Sequence, residues 1–95
     1  MSIRIPGRRD TELSPLEAEV MSEKAAALAQ SGRRVEAALA ALAEAREDRP
    51  QRLRAAADAV YGFFIQREII GLRDHRSVID HYAIPREVLL RLGVH

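Results

Sequence analysis

The sequence predicts an all-α fold, a compact bundle of about five helices. Three observations carry that reading. Sixteen of the 95 residues are Ala and only 4% are aromatic, a composition suited to helices packed closely through small side chains. Apolar residues recur at helical spacing in several segments and never alternate with polar ones over a useful length, so no strand is expected. Capping and breaking residues stand between those segments at the positions where helices start and stop.

Residues 1–13 carry Pro6, Gly7, Arg8, Arg9 and Asp10 without periodicity and are expected to form a flexible arm, leaving 14–95 as a single helical domain. Ser14-Pro15-Leu16-Glu17 is a helix start: Ser caps, Pro takes the first helical position, and Glu completes a capping box. The first helix is expected to run to Ser31 and to stop at Gly32, with Leu16, Val20, Met21, Ala27 and Leu28 on one side and Lys24 inside their arc. A second helix follows from Arg33 or Arg34 to Glu47, built on Val35, Ala38, Leu39, Leu42 and Ala45, so the two are expected to form an antiparallel hairpin.

Pro50 opens a long central helix around which the chain is organised. Between Leu53 and Leu72 one line is Leu53, Ala57, Val60 and Phe64. Ala56, Phe63 and Ile70 flank it on one side, and Tyr61, Ile65, Ile69 and Leu72 on the other. The strip left over holds Ala55, Ala59, Gly62 and Gln66, small enough for another helix to approach, and is the candidate dimer contact. Gly71 ends or interrupts this helix, Asp74 caps a short fourth helix from His75 to about Tyr82, and Pro85 starts a final one that stops at Gly93.

Composition narrows the function classes. A net charge of +1 points to no charged partner, and the absence of Cys removes disulfides, thiolate metal sites and Cys nucleophiles. No apolar run reaches the ~18–20 residues of a membrane span and the N-terminus lacks a signal peptide's apolar segment, so a cytoplasmic protein is expected. The dipeptides Asp74-His75 and Asp80-His81 put their imidazoles off a common helix face, unlike the i, i+4 pair of a helical metal site. No catalytic, cofactor-binding or metal-binding residues are assigned, and no enzyme is expected.

Two segments match known motifs weakly. Ala38, Leu42, Ala45 and Pro50 keep the spacing of a tetratricopeptide second helix, but Ala25, Ala26 and Ala29 stand where its first helix wants large residues, and no second repeat follows. Val78, Tyr82, Ile84, Leu89 and Leu92 fall on the apolar positions of a helix-turn-helix, yet Ile79 takes the position of a small residue and Ala83 that of the turn glycine. Residues 66–95 hold five Arg against four acidic residues, a poor phosphate footprint.

The densest chemistry lies in Gln66-Arg67-Glu68, where both charges fall within the apolar arc of the central helix. Charges so placed need partners, because an unpaired buried charge costs several kcal/mol. Arg67 and Glu68 are therefore expected to be buried and paired with opposite charges, in a network drawn from Lys24, Gln66, Arg67, Glu68, Arg73 and Asp74.

Five stretches carry a family resemblance: Glu23-Lys24-Ala25, Gly32-Arg33, Ile65-Gln66-Arg67-Glu68, Gly71-Leu72-Arg73-Asp74 and Tyr82-Ala83-Ile84-Pro85-Arg86-Glu87-Val88-Leu89. Through them the chain resembles, over roughly residues 14–93, a family of small bacterial all-helical proteins of unknown function. The resemblance implies an all-α fold and no activity. The expected function is a protein-interaction or structural module, a homodimer open to an unidentified protein partner, with no membrane and no nucleic acid. The alternative is a nucleic-acid-binding protein using the helix-turn-helix-like segment at 75–93, and a small-molecule or catalytic role stands third.

Overall fold

The computed structural model describes residues 13–93. Among them are four α-helices and no strand: α1 Pro15–Ala43, α2 Arg49–Ile69, α3 Arg76–Tyr82 and α4 Arg86–Arg91. Of the residues expected to form an arm, 1–12 lie outside the described residues, and Leu13 is an exposed residue before the first cap.

α1 begins as its sequence dictates. The Glu17 backbone N–H donates to Ser14 Oγ (3.1 Å), and the Ser14 N–H donates to Glu17 Oε1 (2.9 Å). The stop expected at Gly32 does not occur, and the two helices expected on either side of it are one helix of 29 residues. Gly32 is buried inside it. A Cβ there would stand 2.5 Å from Tyr82 Oη and 3.7 Å from Phe63, so this glycine opens room for a neighbouring ring and leaves the backbone helical. The hairpin forms one element later, between α1 and α2. Its corner is tied by Asp48, which accepts from the Arg46 N–H (3.1 Å) and pairs with Arg52 (2.9 Å).

The core is the seam where α1 and α2 meet, closed by the C-terminal helices: Val35 and Leu42 of α1, Ala56, Ala57, Val60, Phe63 and Phe64 of α2, and Ile84 and Val88 beyond. Phe63 meets Tyr82 edge-on at 5.5 Å. α2 ends in a Schellman turn: Leu72 donates to the Arg67 carbonyl (2.8 Å), Gly71 donates to the Glu68 carbonyl (3.0 Å), and Gly71 takes φ +94°. α3 ends the same way on Ala83, whose φ of +51° is unusual for a residue with a Cβ. Ile84 then donates to the Ile79 carbonyl, and α4 folds back on α2, where Arg49 and Glu87 form an ion pair.

The bundle is not compact throughout. Burial of α1 begins at Leu28, and from Pro15 to Ala27 every residue is exposed. Half of the wide α2 arc is likewise uncovered, since Tyr61, Ile65, Ile69 and Leu72 all face solvent.

Candidate functional site

Two features stand side by side where α2 ends. One is a polar network. Arg67, only 9% exposed, donates from Nε to His75 Nδ1 (3.1 Å) and from Nη2 to the Asp74 carbonyl (2.9 Å). The other imidazole nitrogen, Nε2, lies 2.8 Å from Glu68 Oε2. Because Nδ1 accepts from a guanidinium that can only donate, the geometry specifies the neutral tautomer with its proton on Nε2, donating to Glu68. Phe64 lies flat on the imidazole at 4.1 Å, and Arg67 sits 5.9 Å from the centre of the Phe63 ring.

The network differs from the expected one in its wiring. Arg67 is buried as expected, but its partners are an imidazole and a carbonyl rather than a carboxylate. The Glu68 side chain is 43% exposed. The Asp74 carboxylate turns away to Arg76, accepting from its backbone N–H (3.0 Å) and its guanidinium, which holds the carboxyl far below the usual range. The N-cap of α3 is His75 rather than the expected Asp74, which stands one residue earlier and accepts from the Arg76 N–H, and the helix proper starts at Arg76 rather than His75. Arg73 is exposed, and neither it nor Lys24 has an ion-pair partner among the described residues. His75 was missed. The Gly71 turn reverses the chain and returns the residue seven positions after Glu68 to its side, which helical spacing alone does not reveal.

The second feature is an apolar face. At about 100° per residue, Leu16, Val20, Met21, Lys24, Ala27 and Leu28 lie in one arc with Ser31, Val35, Ala38 and Leu42, and Leu13 stands just before the helix. α2 covers the second set. The first set is left in water as far as Ala27, before Leu28 packs on the core: Leu16 is 70% exposed, Val20 41% and Met21 50%, and Leu13 ahead of the helix is 53% exposed. Where the exposed half meets α2, a cavity of about 200 Å³ opens between Lys24, Ala27 and Leu28 of α1 and Gln66, Ile69 and Ile70 of α2's end. Ile69 is 74% exposed there, and Gln66 Oε1 is buried without a hydrogen-bond partner. Of the candidate dimer strip, Gln66 lines this cavity, Ala59 packs on the core, Gly62 is half-buried and Ala55 is exposed.

A family model described as a family of unknown function (DUF6665) matches residues 3–95. The chain belongs to DUF6665. The match reaches well past residues 14–93, the span of the resemblance, into the segment expected to be an arm. No curated protein and no solved structure matches this DUF6665 chain.

Other arrangements in the DUF6665 chain offer less chemistry. Among the described residues no three His, Cys, Asp or Glu side chains gather as a metal site, and no helix is long and apolar enough to cross a membrane. In the helix-turn-helix-like segment α4 spans six residues. Val88 is turned into the core and Glu87 is held by Arg49, leaving Arg86 and Arg91 as its exposed cations.

Proposed function

We propose that this DUF6665 protein is a non-enzymatic protein-interaction and structural module that works by self-association. Its working face is the exposed half of α1 together with the adjoining end of α2. One observation carries the reading: a single apolar arc runs the length of α1, is buried against α2 from Ser31 to Leu42, and continues uncovered back to Leu13. Burying a Leu, Val or Met side chain is worth about 1.5–3 kcal/mol, so three of them held in water by one helix, with Leu13 beside them, form a strong reason to associate. A helix segment of this length is moreover marginal by itself in water, and a covering partner supplies the packing that holds it. The Arg67–His75–Glu68 network has the structural part, fixing α3 against α2 and so shaping the cavity wall at Gln66, Ile69 and Ile70.

Light scattering on the native chain and on Leu16→Asp plus Val20→Asp tests this. The native chain is expected at twice 10.6 kDa at micromolar concentration, and the variant at 10.6 kDa with its core intact. A native chain that stays at 10.6 kDa overturns the proposal.

A further inference from the structure

We infer that two copies pair antiparallel through the exposed halves of α1, about a two-fold axis between Val20 and Met21, each copy's first turn filling the cavity at the other's α2 end. The inference rests on the self-association proposed above and adds its geometry and its specificity.

Length is the first argument. The exposed part of α1, from Pro15 to Ala27, spans about 20 Å at ~1.5 Å per residue, with Leu13 just before it. It ends at the cavity between Leu28 and Ile69 and Ile70. Two such segments laid antiparallel cover each other from end to end, and Leu13 and Leu16 of each arrive at the other's cavity. A contact of this kind is isologous: the same patch serves as knob and as hole in both copies. A parallel pair would leave both cavities at one end without an occupant and both sets of Leu13 and Leu16 at the other.

Charge is the second. The exposed half of the arc contains two charged residues near its centre, Glu17 and Lys24. With the axis between Val20 and Met21, Glu17 stands opposite the partner's Lys24 twice over, and Leu13 stands opposite the partner's Leu28. A parallel register instead sets Glu17 on Glu17 and Lys24 on Lys24 within an apolar seam, where like charges are costly. Glu17 is prepared for the role. One oxygen accepts from the Ser14 N–H, which holds the group ionised below its ordinary range, and the other oxygen has no partner among the described residues.

The chain has no Cys, so introduced ones report without background. Leu13→Cys and Leu28→Cys are made as separate full-length variants, then oxidised alone and mixed. Interchain disulfide is expected in the mixture and in neither variant alone, since the bond needs Cα atoms within about 7 Å. Disulfide in Leu13→Cys alone reports a parallel pair and overturns the inference, as does a mixture that dimerises and fails to cross-link; either result leaves self-association standing. Lys24→Glu is expected to weaken dimerisation by roughly tenfold or more, and Lys24→Glu with Glu17→Lys to recover it. Native dimerisation in Lys24→Glu overturns the ion pairing. A monomeric native chain overturns the inference and the self-association beneath it together.

Discussion

Replacing a glycine by alanine inside an ordinary helix stabilises it by about 1 kcal/mol. Gly32 is expected to do the opposite, because the added Cβ lands 2.5 Å from Tyr82 Oη on a ring already set edge-on to Phe63. Gly32→Ala should lower stability by about 1–2 kcal/mol, as overpacking does. Adding Tyr82→Phe should restore much of the loss, because the next atom, Tyr82 Cζ, stands 3.4 Å away. A double-mutant cycle in urea reads the coupling, and additive effects would refute the close approach. The charged pair of α2 separates in the same way. Arg67→Leu leaves His75 Nδ1 and the Asp74 carbonyl without their donor and should cost about 2–3 kcal/mol. Glu68→Gln, for which position on the helix alone predicts a large loss, should shift the urea midpoint little, since its side chain is 43% exposed. A large loss in Glu68→Gln with a small one in Arg67→Leu would reverse the assignment.

At the scale of elements, α3 and α4 are seven and six residues long, too short to persist without their neighbours. Schellman turns aim them, Ile84 and Val88 bury them, and the Arg49–Glu87 pair holds α4 against the start of α2. The Arg49 guanidinium lowers the Glu87 carboxyl below its ordinary 4.5. A carboxylate lowered by folding adds stability that is present above its unfolded value and lost as pH falls through its folded one. The native chain should therefore be more stable than Glu87→Gln at pH 7. That difference should shrink below about pH 4.5 and vanish in stronger acid. Thermal melts of the two proteins at several pH values decide it, and a difference that persists in strong acid would remove the ion pair as its cause.

At the scale of the molecule, the described residues hold a packed seam at one end and project half a helix at the other. Apart from the buried Arg67, the cations among the described residues are spread through ion pairs and exposed faces, and the net charge is +1. No specific DNA binding is expected from such a surface, because affinity for a duplex grows with the number of phosphates neutralised. An electrophoretic shift that weakens steeply with salt and disappears in Arg86→Ala plus Arg91→Ala would show the opposite.

What the sequence determined by itself is everything local. Ser14 and Glu17 cap α1, Pro50 opens α2, Gly71 turns the chain, and periodicity places Ala57, Val60 and Phe64 on one line that is buried, because these features depend on residues within a few positions of one another. Tertiary structure alone decided the rest. Gly32 reads as a stop until Tyr82, fifty positions on, shows why a side chain is missing. His75 joins Arg67 to Glu68 only after the chain has reversed. Leu16, Val20 and Met21 carry the same apolar pattern as Val35 and Leu42, and nothing local distinguishes the two sets. What separates them is that α2 ends at Ile69, so the packing partner stops before the apolar arc does.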